Sequence, residues 1–321
     1  MRLRMAAVVA ALALGGSIAL LSLLPQGSEV RVEIPDGAGA SETARQLKRE
    51  GVIPSTFLFK ALAKATGSEH ALKPGSYVLR RRMGTRKALR WIREGRSEQV
   101  KVVIPEGFMA AQIANRLQEA GVSDARGFMD YVRENNLEGY LFPASYFFRR
   151  GLTGEEVAHQ MHVNSRRFVE PEFDKAGQRR FTLAQLLTLA SIVQREAHLQ
   201  SEMPMIAAVY INRLDRRMRL EADPTVQYAL GKDSGEWKKG LTRADLRIAS
   251  KYNMYQYFGL PPGPICSPGL DAVRAVLYPA QTDTLFFVAD RTGGHVFSRT
   301  LDEHTNARNR IKRALRRPQG L

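Results

Sequence analysis

The sequence predicts an α+β protein: an apolar N-terminal helix, a small α+β module, and a larger mixed α+β domain. Three observations predict it. An uncharged apolar run opens the chain, from Met5 to Leu24. Two strand–turn–helix segments then repeat, the first beginning at Val32 and the second at Val102. From residue 151 the pattern turns to amphipathic helices, and it returns to two short strands near the end.

The apolar run comes first. As a helix rising about 1.5 Å per residue it spans roughly 30 Å, the thickness of a bilayer core. Arg2 and Arg4 precede it, and Arg31 is the first basic residue after it. The positive-inside rule makes residues 1–4 a cytoplasmic tip, 5–24 a transmembrane helix, and the rest external. A cleaved signal peptide is the alternative. It has a shorter apolar region, about 7–15 residues, and a small-x-small cleavage site. The run here ends LLSLLPQGS without such a site.

Residues 25–29 read as a linker. The repeat follows. Val32–Val52 (VEIPDGAGASETARQLKREGV) aligns without a gap to Val102–Val122 (VVIPEGFMAAQIANRLQEAGV). Val32, Ile34, Pro35, Gly37, Ala40, Ala44, Leu47, Gly51 and Val52 each meet an identical residue. Each segment reads as a strand ending at Ile-Pro-acid-Gly, then a turn and a helix that closes on Gly51 or Gly121. Between them, Pro74-Gly75, a strand at 76–80 and a helix at 85–94 complete a module within residues 25–100. Residues 101–150 form a second repeat-like segment, either a further module or the entry to the next domain. Residues 151–321 form that domain. Helices are expected at Glu155–Phe168, Leu183–His198 and Met203–Leu214, and strands at Thr284–Ala289 and His295–Ser298. The tail Arg308–Arg317 carries six basic residues in ten.

Composition bounds the function. Hydrophobic residues at 44% and charged residues at 25% exclude disorder as the main state. One cysteine, Cys266, excludes an internal disulfide framework and a multi-cysteine zinc site. Six histidines show no HxH or HxxxH spacing, so no metal or other cofactor is expected. With 48 Lys+Arg against 32 Asp+Glu, the net charge is +16. Such a charge suits an anionic partner, or is a solvated basic surface. An external location removes nucleic acid and leaves anionic lipid or an acidic polymer.

Within the helix Leu183–His198, a helical wheel stepping 100° per residue places Leu189, Ile192 and Val193 within about 60° of Glu196. Glu196 therefore extends the apolar stripe, and Gln194 lies about 160° away. A carboxyl at the rim of a core has a raised pKa, which suits a general acid; solvent exposure at the helix end is the alternative. In ADPTVQY (222–228), Asp223 either caps the following helix or faces a ligand. In SKYNMYQY (250–257), three tyrosines around Asn253 suit sugar rings or form a packed loop. Gly259–Gly269 is a stiff turn with four prolines.

These motifs carry a resemblance. LEGYLFPASYFF (137–148), LTLASIVQREA (187–197), AAVYINRL (207–214), MRLEADPTVQYALG (218–231), SKYNMYQYFGLPPGPICSPG (250–269) and VADRTGGHVFSRTLDEH (288–304) resemble the YceG/MltG family of endolytic murein transglycosylases. The resemblance implies a LysM-like module at 25–100 and a catalytic domain at 151–321. The implied substrate is peptidoglycan, cut within glycan strands at the β-1,4 bond from N-acetylmuramic acid to N-acetylglucosamine. A 1,6-anhydromuramic end would be left, and elongation of nascent strands would be terminated. The family's catalytic glutamate carries over to Glu196. Gln194 fills a position that is often glutamate in relatives. The usual P-D-T-Y reads Pro143-Ala144-Ser145-Tyr146, the usual N-P-G reads Ser267-Pro268-Gly269, and the EHN-like end reads Glu303-His304-Thr305-Asn306. Asp223, Thr225, Tyr252, Asn253, Tyr255 and Asn212 are the expected substrate-binding residues. The expected location is the inner membrane, single-pass, with the catalytic part in the periplasm, and membrane lipid and cell-wall synthases are the implied partners. A hydrolase using Asp223 as second carboxylate and a non-catalytic wall-binding scaffold are the alternatives.

Overall fold

The computed structural model describes residues 27–96, 99–177, 180–290 and 292–316. The expected transmembrane helix at 5–24 lies outside them, and no described helix is long and apolar enough to cross a membrane. The chain divides into two compact units, Met1–Val100 and Lys101–Leu321.

The first unit runs β1 (Glu29–Ile34), α1 (Ala40–Arg49), α2 (Thr56–Ala65), β2 (Gly75–Arg80) and α3 (Thr85–Glu94). Strands β1 and β2 pair antiparallel, with Val32 opposite Tyr77. Strand alternation turns Val32, Ile34, Tyr77 and Leu79 inward, onto Ala44 and Leu47 of α1, Phe59 of α2 and Ile92 of α3. The Tyr77 hydroxyl, carried into this core, donates to Lys73 O at 2.6 Å.

The second unit opens with the same plan: β3 (Gln99–Val103), α4 (Ala110–Glu119), α5 (Ala125–Glu134) and β4 (Ser145–Arg149). Strands β3 and β4 are hydrogen-bonded to each other. The correspondence reaches single bonds. Gly51 (φ 71°) and Gly121 (φ 65°) hold the left-handed conformation that lets the chain reverse after α1 and α4. The next residue closes each helix at 2.9 Å, Val52 N to Leu47 O and Val122 N to Leu117 O. Ser55 and Asp124 accept from main-chain N–H groups at the starts of α2 and α5. Tyr146 OH donates to Phe142 O at 2.6 Å, the counterpart of the Tyr77 bond. The repeat legible from Val32 to Val52 is therefore part of a βααβ unit present twice, and its second copy is built into the larger unit.

The rest of that unit is α6 (Gly154–Ala176), α7 (Leu183–Glu196), α8 (Met203–Asp215), α9 (Asp223–Gly231), α10 (Leu270–Leu277), β5 (Phe286–Ala289), β6 (His295–Ser298) and α11 (Leu301–Arg316). Helix α6 runs past the expected end at Phe168 and through Pro171. Strand β5 begins two residues after the expected Thr284 and pairs antiparallel with β6. The basic tail is largely the last turns of α11.

Helix α7, expected to be amphipathic, is central instead. Leu186 through Val193 are all buried, and α8 and α10 share its core cluster. Polar residues within α7 are satisfied locally: Thr188 Oγ1 donates to Ala184 O and Ser191 Oγ to Thr188 O, both at 2.7 Å. Ser191 Oγ also accepts from Ile265 N at 3.0 Å, fixing the Pro-rich loop against the helix. Thr182 and Gln185 start α7 with reciprocal bonds, Gln185 N to Thr182 Oγ1 and Thr182 N to Gln185 Oε1. The helix stops at Glu196 because Ala197 is extended (ψ 122°).

Candidate active site

Glu196 thus occupies the last residue of a buried helix, where the core meets solvent. The free carbonyls of a helix C-terminus disfavour an anion there. Burial does so more strongly: it pushes the Glu196 carboxyl up to about 7. Tyr210, on α8, donates its hydroxyl to Glu196 Oε1 at 2.7 Å and pulls the pKa back down. The charge of Asp223 raises it, while Arg195 and Arg213 lower it. The Tyr210 ring is held edge-on by Phe287 of β5, with centroids 5.8 Å apart.

Asp223 is exposed and opens α9, but its side chain does not cap that helix. Its carboxylate instead accepts from the Tyr255 hydroxyl at 2.7 Å. The bond links α9 to the 250–258 loop, and both Asp223 and Tyr255 lie close enough to Glu196 to interact with it electrostatically. Of the expected site residues, the structure brings together Glu196, Asp223 and Tyr255.

The other four point elsewhere. Asn253 is fully buried; its amide donates to Leu246 O and Ile248 O, and its Oδ1 accepts from Tyr255 N. Thr225 is buried and bonds Ala222 O and Met254 N. Asn212 donates to Thr282 O and Thr284 O at 2.9 and 3.0 Å. All three spend their polar groups on main chain: Thr225 and Asn253 shape the loops around Asp223 and Tyr255, and Asn212 holds the 282–284 segment that leads into β5. Tyr252 packs against Tyr228, with centroids 4.8 Å apart, and lies near Glu138, a carboxyl that burial lifts to about 7. Glu138 itself accepts from Ala110 N at the start of α4 and from Tyr228 OH, so it pins the second βααβ copy to α9.

Gln194 faces away from Glu196, as its helical phase requires. Its Oε1 accepts from Gly269 N at 2.9 Å, and its side chain bonds Glu106 of the second Ile-Pro-acid-Gly turn. A glutamine suits this place, because it donates to one partner and accepts from the other. The Glu106 carboxyl is itself raised, by burial first and then by nearby Asp271.

Sequence reasoning missed Tyr210 and Arg213. They lie three apart on α8, so they share a face, but nothing local says that this face meets α7. Arg213 is buried. Its guanidinium donates to Leu285 O (2.7 Å), Leu220 O (2.9 Å) and Arg219 O (3.2 Å), and meets the Glu221 carboxylate at 3.3 Å. It therefore clamps the loop that delivers Asp223. On the other side of α7, Arg195 stacks 4.1 Å over Trp237. No group of three or more His, Cys, Asp or Glu residues among those described could hold a metal ion.

Chemically this is one carboxyl poised near neutrality, with one donor, beside an exposed carboxylate. Tyr210→Phe removes the hydrogen bond that favours the anion, so the Glu196 pKa rises further. The alkaline limb of the pH profile of kcat/KM is expected to move to higher pH, with about tenfold lower activity at the optimum. An unmoved profile would mean that Tyr210 does not tune Glu196.

Comparison with known proteins agrees over most of the chain. Residues 32–310 match the YceG-like family. A Bacillus subtilis protein named endolytic murein transglycosylase is 31% identical over 308 residues, covering 88% of this chain and 84% of that protein. A Streptococcus pneumoniae protein of the same name is 29% identical, and the match covers 92% of this chain but 62% of the longer relative. A crystal structure of a yceG-like protein from Listeria monocytogenes superposes with a TM-score of 0.57, at 32% identity, covering 88% of this chain and 99% of that one.

Proposed function

Since the chain belongs to the YceG-like family, we propose that it is an endolytic lytic transglycosylase of peptidoglycan. The observation that carries the residue assignment is the half-buried Glu196, lifted to about 7 and hydrogen-bonded to Tyr210. A carboxyl of this kind is protonated often enough to act as acid and ionised often enough to act as base near neutral pH.

The reaction needs both roles in turn. Glu196 first gives its proton to the glycosidic oxygen of the leaving N-acetylglucosamine, and the bond from that oxygen to muramic C1 breaks. The muramic C6 hydroxyl then attacks C1, and its proton passes to Glu196. The new C1–O6 bond closes the 1,6-anhydro ring, Glu196 ends protonated as it began, and no water is consumed. An ordinary glycosidase uses a second carboxylate to attack the sugar or activate water. Here the nucleophile belongs to the substrate, so orientation replaces the second acid. Asp223 and Tyr255 are assigned to orienting hydroxyl or acetamido groups. Thr225 and Asn253 act by fixing the loops that carry them, Asn212 by holding the 282–284 segment ahead of β5, and Tyr252 by shaping the adjoining wall.

The first βααβ module is assigned as LysM-like and as a holder of glycan. Residues 5–24 are assigned as a single-pass inner-membrane anchor, with the rest periplasmic. Termination of nascent strands, and contacts with synthases and anionic lipid, complete the proposal. Full-length protein in detergent, incubated with purified sacculi, is expected to release anhydro-ended fragments of many lengths. Fragments that all carry reducing ends, one water heavier, would make the protein a hydrolase; no release at all would favour a wall-binding scaffold.

A further inference from the structure

Away from Glu196, one surface combines exposed aromatic rings with cations. Phe258 is 63% exposed and Tyr257 48% exposed. The Arg219 guanidinium lies 4.8 Å over the Phe258 ring. A groove beside it is lined by Leu214, Arg217, Met218, Phe258 and Gly259. Arg217 and Arg219 have no carboxylate partner among the described residues, whereas Arg180 in the adjoining groove is paired with Asp215.

The backbone here is strained. Arg217 (φ 54°) and Glu221 (φ 50°) hold left-handed conformations without being glycine. Such conformations are unfavourable for residues with a side chain and persist where the surroundings impose them, often at functional surfaces. The Arg213 clamp and the bond from Glu221 N to Met254 O impose them here. The result is a rigid loop that presents Arg217 and Arg219 outward beside Phe258.

We propose that Phe258, Arg217 and Arg219 form a remote subsite for the glycan strand, with a sugar ring on the Phe258 face that Arg219 leaves free and the strand's pendant carboxylates on the arginines. This rests on the transglycosylase reading and extends it. Sugars present C–H faces that pack on aromatic rings, and guanidinium groups match carboxylates. Continuity selects the strand as occupant, because the same two loops carry Asp223 and Tyr255. Arg219 is four residues from Asp223 and Phe258 three from Tyr255. At about 3.6 Å per residue the Cα atoms of Arg219 and Asp223 are at most about 14 Å apart, and those of Phe258 and Tyr255 at most about 11 Å, within reach of one strand that also spans Glu196.

The test uses the full-length Glu196→Gln protein in detergent, so that binding is read without cleavage. Three probes of equal length are compared: strands bearing stem peptides, strands stripped of peptides to expose the lactyl carboxylate, and neutral chitin oligomers. Adding Phe258→Ala is expected to weaken binding of all three about fivefold. Adding Arg217→Ala and Arg219→Ala together is expected to weaken the two anionic probes to a similar degree and to spare chitin. A larger loss on peptide-bearing strands would identify stem-peptide carboxylates as the ligand, and a larger loss on stripped strands the lactyl group. Affinities for every probe within about twofold of the parent in either variant, with melting temperature unchanged, would overturn the subsite, as would an equal loss on chitin from the arginine changes. The reaction itself is judged separately, by the products of the protein with Glu196 intact.

Discussion

Replacing Glu196 by glutamine is expected to lower the rate of anhydro-product formation by a factor of roughly 1,000. The amide keeps the size and can still accept from Tyr210, but it neither gives a proton to the glycosidic oxygen nor takes one from the C6 hydroxyl. The fold should persist, and the physical reason is the pKa itself. A carboxyl with an ordinary value of 4.5 that is held at about 7 binds a proton more tightly folded than unfolded. Its contribution is intact below 4.5 and is lost as pH rises from 4.5 to about 7, where the folded protein must bury an anion or hold a proton. Glutamine has no such dependence. The melting temperature of Glu196→Gln should therefore equal or exceed that of the parent at pH 7.5 and fall less steeply between pH 5 and 7. Glu138, also held at about 7, and Glu106, raised in the same direction, keep part of that slope in the variant. An inactive variant that also melts much lower would point to a structural role for Glu196.

Arg213→Met should have the largest effect on stability. Methionine fills much of the volume but leaves the carbonyls of Leu285, Arg219 and Leu220 without their donor. Unsatisfied buried acceptors cost about 1–3 kcal/mol each; with partial relaxation the loss is about 3 kcal/mol in total. In a unit of this size that lowers the melting temperature by roughly 10 °C. Activity should fall beyond what unfolding explains, because the 217–222 loop loses the clamp that sets Asp223, and Glu196 loses a cation that lowers its pKa. Arg213→Lys restores charge but not the fork of donors, so it should recover only part of the stability. A melting temperature for Arg213→Met within about 2 °C of the parent would contradict the clamp.

What the sequence made legible is what local chemistry dictates. The glycine reversals at Gly51 and Gly121 and the Ile-Pro-acid-Gly turns are short-range, and the repeat makes them visible twice. That Glu196 lies on the apolar side of its helix, away from Gln194, is legible from helical phase. The partners of Glu196 are not, because Tyr210 lies on another helix and only packing makes the two meet. The same limit applies to Asn253, Thr225 and Asn212. Polar residues in a loop look alike whether they face solvent or satisfy buried carbonyls, and burial decides between these uses. Helix α7 reads as amphipathic because its end carries Gln194, Arg195 and Glu196, while the partner for its other face, the 264–269 loop, is distant in sequence.

The central claim is that one carboxyl cleaves the strand with the substrate's own hydroxyl as nucleophile. The most direct measurement is digestion of sacculi by the full-length protein in heavy-oxygen water, with mass spectrometry of the new chain ends. Anhydro ends free of solvent oxygen, absent when Glu196 is glutamine, are the expected result. New ends that carry one heavy oxygen, or anhydro ends that persist in the glutamine variant, would contradict it.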